Sequence, residues 1–253
     1  MARRVAVSWS GGKDSNLALH RVASDAGVAV VCLVVFHPPK PAFRAHPVAM
    51  MELQAAALGL PLVMLEVDAA LHGGDHRAAY AGCIRRLRAE HGVYAIVTGD
   101  MDLVGTMPRN FITEVCEMAA LTPPMECLLP LWGADRRGVL DELLALGLRA
   151  RFSCVKSPHF DASWIGRALD DAAVKEMEGI RERTGLDLCG ENGEYHSCVV
   201  DGPLYRSAIA WDAVGAAAAE ELEGAKGQAE DVRWWVLRDL AELGARLEEK
   251  APL

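Results

Sequence analysis

The sequence predicts an α/β protein, a parallel sheet covered by helices and followed by a second, smaller α/β domain. Three observations carry this. Apolar runs of strand length alternate with helix-period stretches through the first two-thirds of the 253 residues. The connections between them are short, which suits parallel strands joined by crossover helices. Two of the helical stretches stop at a glycine.

Taken in order, Val5-Ala6-Val7 reads as a buried strand and Asn16–Ala23 as the helix after it. Val28–Phe36 is the second strand, ahead of a proline-rich loop, His37-Pro38-Pro39-Lys40-Pro41. Val48–Leu58 is helical and stops at Gly59, with Pro61 beyond. Leu62–Val67 is the third strand, Asp75–His91 a helix ended by Gly92, and Tyr94–Thr98 the fourth strand, followed at once by Gly99-Asp100. Pro108–Leu121 reads as a helix with proline at its start. The pattern changes near Pro130-Leu131-Trp132-Gly133, which divides the chain into a first domain, 1–132, and a smaller second one, 133–206. In the second, Arg136–Leu146 and Asp171–Thr184 read as helices and Arg149–Val155 and Tyr195–Val200 as strands. Residues 207–253, rich in Ala, Glu and Leu, read as a helical tail, with Trp234-Trp235 as a core anchor or, alternatively, a homo-oligomer contact.

Composition narrows the function. Half the residues are hydrophobic, enough for a sizeable core. Acidic residues outnumber basic ones by 35 to 26, for a net charge of −9, which weighs against a general nucleic-acid binder. No long apolar run follows Met1-Ala2-Arg3-Arg4, so neither a signal peptide nor a membrane span is expected. The seven cysteines are odd in number and irregularly spaced, with no C-x-x-C. That usage suits reduced thiols in the cytoplasm rather than a disulfide framework or a zinc site.

The densest chemistry lies at Ser8-Trp9-Ser10-Gly11-Gly12-Lys13-Asp14-Ser15, between the first strand and the first helix. Two glycines let the backbone curl and keep side chains out from between its amides and a ligand. The new helix presents its unpaired N–H groups and positive dipole end, which makes an anion site suited to phosphate. Ser10 and Ser15 add hydroxyls and Lys13 a charge. A carboxylate, Asp14, beside a phosphate makes sense when magnesium lies between them. The spacing is neither that of Walker A nor that of G-x-G-x-x-G.

A second dense run is Cys189-Gly190-Glu191-Asn192-Gly193-Glu194-Tyr195-His196-Ser197. It gathers two carboxylates, an amide, a phenol, an imidazole and a hydroxyl around two glycines. The bland alternative is an Asn-Gly hairpin turn carrying exposed carboxylates. The functional one is that Glu191 and Glu194 bind magnesium or hold an ammonium-like nucleophile, while His196 serves as a general base or a phosphate contact.

Together SGGKDS, GD after the fourth strand, PLW at the junction, and GENGEYHS followed by DGPLY resemble the diphthine–ammonia ligase family. This is a PP-loop family of the adenine nucleotide alpha-hydrolase-like superfamily. The resemblance covers roughly residues 4 to 206. It implies a Rossmann-like ATP domain followed by a small domain, and an ATP-dependent amidation. The carboxylate of diphthine on elongation factor 2 would be adenylated, and ammonia would displace AMP. By this resemblance Ser10, Gly11, Gly12, Lys13, Asp14, Ser15, Gly99 and Asp100 handle ATP, with Asp14 and Asp100 as candidates for Mg2+ or ribose. Asp14, Glu191, Glu194 and His196 are the catalytic candidates, and Arg109, Asn192 and Ser197 the substrate contacts, with Arg109 facing the adenylate or, alternatively, serving as a helix-surface charge.

GEYHS and the tail look more like bacterial relatives, and a host without diphthamide would need another acceptor, such as a corrinoid carboxylate. Two other classes compete. A tRNA-modifying PP-loop enzyme would need a sulfur-carrying cysteine, and Cys189 and Cys198 flank the second motif. A non-catalytic nucleotide-binding module of the universal-stress type would bind ATP without needing the second motif.

Overall fold

The computed structural model describes residues 2–41, 43–103, 105–222 and 232–250. It divides into two compact units, neither of them contiguous: Met1–Ser10, Asp14–Ala42 and Leu60–Gly133 in the first, and Gly11–Lys13, Phe43–Gly59 and Ala134–Leu253 in the second.

The first unit is built on five strands, β1 (Arg3–Ser8), β2 (Val28–His37), β3 (Leu62–Glu66), β4 (Ala95–Val97) and β5 (Glu126–Leu128), in the order β3-β2-β1-β4-β5. Every neighbouring pair is parallel. This is the α/β class that the alternation predicts, in the Rossmann-like form that the family resemblance implies. β1 is central, and Val5, Ala6 and Val7 are fully buried, as a strand covered on both faces requires. The chain runs outward from β1 to β3, then returns to β4, so the strand order reverses between β1 and β4. Helices α1 (Lys13–Ala23), α3 (His76–His91) and α4 (Phe111–Met118) follow their strands; α2 (Val48–Leu58) counts with the second unit, although sequence order alone groups it with 1–132. One apolar core joins Val34, Leu65, Ile84, Leu87, Ile96 and Val115.

Local chemistry sets the helix ends. Asp75 caps α3 by accepting from Ala78 N, and Asn110 caps α4 by accepting from Thr113 N. α4 therefore starts at Phe111 rather than Pro108. Gly59 and Gly92 end α2 and α3 in the left-handed conformation at φ 67° and 62°, as their stop signals predict. β5 escaped the sequence reading: three residues between prolines carry no periodicity.

The second unit, also α/β, holds α5 (Arg136–Ala145) and α6 (Asp171–Thr184) beside antiparallel strands. β6 (Arg149–Lys156) is the hub, paired with β7 (Ala168–Leu169), β8 (Tyr195–Asp201) and a later strand, β11 (Trp234–Leu237). β10 (Ala219–Leu222) adds to β11, and β9 (Ser207–Ala210) pairs with β12 (Arg246–Glu249). Phe152, Phe160, Trp164 and Tyr195 pack edge-on and tilted at the centre, with centroids 4.8–5.9 Å apart.

The expected helical tail is corrected here. The described residues after 207 form β9 to β12 and one short 3-10 turn, with no α-helix among them. Residues 223–231 and 251–253 of that tail lie outside the described residues. Helix propensity is a weak prior against sheet pairing: Gly244 turns left-handed at φ 64°, and Arg246–Glu249 then lies against β9. Trp234 and Trp235 are half-buried on β11.

Candidate active site

In the first unit, Ser10, Asp14 and Ser15 follow the carboxyl end of β1, and Gly99 and Asp100 that of β4, where the strand order reverses. In open parallel sheets, ligands bind in the crevice at that point. The two turns touch: a Cβ on Gly99 would lie 2.6 Å from the Asp14 carbonyl carbon and 2.8 Å from Ser15 N. Only glycine permits that approach. Asp14 and Ser15 sit in the first turn of α1, and Ser10 Oγ lies 3.4 Å from Ser15 Oγ. The Asp100 carboxylate is aimed by Asn110, whose Nδ2 donates to Oδ2 at 2.6 Å while its Oδ1 caps α4. Thr98 Oγ1 accepts from Asp100 N at 3.3 Å.

The Arg109 guanidinium forks onto Glu117 at 2.9 and 2.6 Å on the exposed surface, and that carboxylate raises its pKa. Among the described residues no three His, Cys, Asp or Glu side chains gather to hold a metal. A magnesium ion that keeps waters and phosphate oxygens needs only one or two carboxylates, and the hard oxygens of Asp14 and Asp100 suit it.

The second unit contains Gly11, Gly12, Lys13 and the second motif. Lys13 N donates to Ser197 Oγ at 3.2 Å. The Lys13 ammonium is buried, donates to the Cys189 carbonyl, and lies 5.2 Å over the Tyr195 ring. Tyr195 Oη in turn donates to Leu188 O at 2.8 Å. Lys13 is thus committed to the second motif as well as being a candidate phosphate partner.

The two glutamates of that motif differ. Glu194 is 3 % exposed and accepts from Asp187 N and Asn192 N, each at 3.0 Å, and from Asn192 Nδ2 at 3.4 Å. It wires the loop. Glu191 and Asn192 are exposed. Gly190, at φ 74°, leaves 2.8 Å between a would-be Cβ and Tyr195 O. His196 Nδ1 faces His46 Nε2 at 3.2 Å, with the rings edge-on. Burial, then the adjoining His196 and Lys13, push the His46 pKa down to about 3, so it is neutral near pH 7.

Sequence reasoning missed three residues. Asn110 had a signal, as a cap before an apolar stretch. Gln54, fully buried on α2, also had one: a neutral amide in an apolar helix. His46, in an irregular segment, had none.

Two family models match the chain: Diphthamide synthase N-terminal domain over residues 3–123, and Diphthamide synthase C-terminal domain over residues 135–224. The chain is 27 % identical to the Danio rerio diphthine--ammonia ligase over 230 residues, covering 83 % of this chain and 87 % of that protein. It is also 27 % identical over 217 residues to the Schizosaccharomyces pombe diphthine--ammonia ligase, covering 79 % of this chain but 34 % of that longer protein. A third similarity, 24 % over 231 residues, is to the Homo sapiens diphthine--ammonia ligase, with 83 % of each chain covered.

Proposed function

The chain belongs to the diphthamide synthase family, and on that premise we propose that it is an ATP-dependent ligase that adenylates a carboxylate and transfers ammonia to it, releasing AMP and pyrophosphate. In a host that makes diphthine on elongation factor 2, that carboxylate is the acceptor; in one that does not, a related carboxylate such as a corrinoid's takes its place. The observation that carries the reading is the pair of touching turns after β1 and β4, where Gly99 packs on the first turn of α1.

Ammonia does not displace oxide from a carboxylate. Transfer of AMP to the carboxylate supplies a leaving group, and negative charge then builds on the departing pyrophosphate. The helix N-terminus at Lys13 and the Ser10 and Ser15 hydroxyls offset that charge without having to reorganise. Asp14 and Asp100 would hold magnesium, which supplies further charge neutralisation on the phosphates. Residues 1–132 carry the ATP role and 133–206 the acceptor role, apart from the structural division into units.

On the acceptor side, Glu191 and Asn192 are the exposed polar groups of the motif and hold the incoming ammonia or acceptor. Glu194 keeps the loop in shape, as its two backbone amide donors indicate. His196 takes the proton that ammonia sheds on attack, its ring oriented by the neutral His46. Ser197 supports the phosphate loop through Lys13 N.

Sulfur transfer to tRNA is disfavoured by the thiols. Burial pushes Cys198 up to about 12, so it stays protonated, and Cys189 is buried with its Sγ on Arg136 O. All seven cysteines are reduced thiols rather than disulfide partners, which is in keeping with a cytoplasmic site of action; no helix among the described residues is long and apolar enough to cross a membrane.

The test is product analysis with ATP, magnesium, ammonium and diphthine-bearing elongation factor 2, with Asp14→Ala as control. AMP, pyrophosphate and an amidated acceptor, all absent from the control, are the expected result. ADP and phosphate as products would overturn the reading.

A further inference from the structure

We propose that Gln54 is a positioning residue for the phosphate loop: together with the Val199 amide it fastens the Gly11 carbonyl and so aims the Gly12 N–H at the phosphates of the nucleotide. The proposal rests on the ATP reading above and adds to it a residue from outside both motifs.

Gln54 lies on α2 and is fully buried. Its Nε2 donates to Gly11 O at 2.8 Å and to Val199 O at 2.7 Å. Both hydrogens of the amide are therefore used, and the two carbonyl acceptors fix which way round the amide sits. Gly11 O receives a second hydrogen bond from Val199 N at 3.0 Å. The side chain also packs against Gly11 itself: at φ 75° a Cβ there would lie 2.1 Å from Gln54 Oε1. Gly11 is thus held as glycine by its backbone conformation and by this contact.

A planar trans peptide points its C=O and the next N–H in opposite directions. Among the described residues the cis peptide bonds are Thr122-Pro123 and Ser157-Pro158, so the Gly11-Gly12 peptide is trans. With the Gly11 carbonyl held toward α2 and β8, the Gly12 N–H faces the opposite side of the loop. A Gly-Gly peptide is otherwise free to flip, and the flipped form would present a carbonyl oxygen to an anion. Gln54 removes that alternative before the nucleotide arrives.

The test measures Gln54→Met, close in shape but without donors, by calorimetry against magnesium–ATP, inorganic pyrophosphate and adenosine. Binding of ATP and pyrophosphate is expected to weaken by roughly tenfold or more, the scale of one mis-aimed charge-assisted donor, while adenosine binding stays as in the wild type. A purely structural role would weaken all three together, and that outcome overturns the proposal, as does unchanged pyrophosphate binding. Should Gln54→Met fail to fold, Gln54→Glu keeps the length, and a shifted Gly12 amide resonance in it supports the proposal while an unshifted one overturns it. A wild-type protein that binds pyrophosphate but releases ADP breaks the ligase reading and leaves this one standing; one that binds neither ATP nor pyrophosphate overturns both.

Discussion

Glu191 and Glu194 look alike in the sequence, three positions apart in one glycine-rich run, yet their surroundings separate them. Glu194 is buried and accepts from two backbone amides. Gln in its place keeps one acceptor and turns an N–H toward a donor, so Glu194→Gln is expected to cost about 1–3 kcal/mol, read as a lower Tm. Glu191→Gln, at an exposed site, is expected to leave stability within about 0.5 kcal/mol while amide formation falls. Which glutamate does which could not be read from the sequence, because the distinction depends on where Asp187 N lies after folding. His46 gives a pH signature. Its folded pKa, about 3, lies below its usual 6.5, so below that usual value the unfolded chain binds the extra proton. Its contribution to stability is complete above the usual value and is lost as pH falls toward the folded pKa. The slope approaches about 1.4 kcal/mol per pH unit. Denaturant titrations across that window should show a shallower slope for His46→Asn.

Where two turns meet, a single methyl group decides the outcome. Gly99→Ala would drive Cβ into the backbone of Asp14 and Ser15; the required shift is expected to cost about 1–3 kcal/mol and to abolish ATP turnover. Gly82→Ala is the matched control. It lies inside α3, the atoms a Cβ would meet there are side-chain atoms at 3.6 Å or more, and alanine is expected to be neutral or to stabilise by up to about 1 kcal/mol. Thermal melts of the two variants check both. Elements with local punctuation were legible: α2 and α6 run over the same residues in sequence and structure, Val48–Leu58 and Asp171–Thr184, because glycine stops and an aspartate cap write their ends into the chain. β5 and the strands of the tail were not, since pairing with β4, β6 and β9 is non-local and three or four residues are too few for a period to declare itself.

For the molecule as a whole, the first motif is legible as a nucleotide loop because strand, glycines and helix follow one another directly, whereas the support of that loop by Gln54 and Val199 is not, because those residues are distant in sequence. The second unit draws on Gly11–Lys13 and Phe43–Gly59 as well as on Ala134 onward. A fragment beginning at Ala134 therefore lacks α2 and is expected to show little cooperative unfolding, whereas the full chain melts sharply; calorimetry of the two checks it. The same arrangement sets an order of events during synthesis. The ribosome makes Gly11 well before Val199, whose amide and carbonyl help to fasten it. The phosphate loop is therefore translated long before it acquires its final form, so a nascent chain stalled before β8 should not hold ATP, and nucleotide competence arrives with β8 rather than with the loop itself.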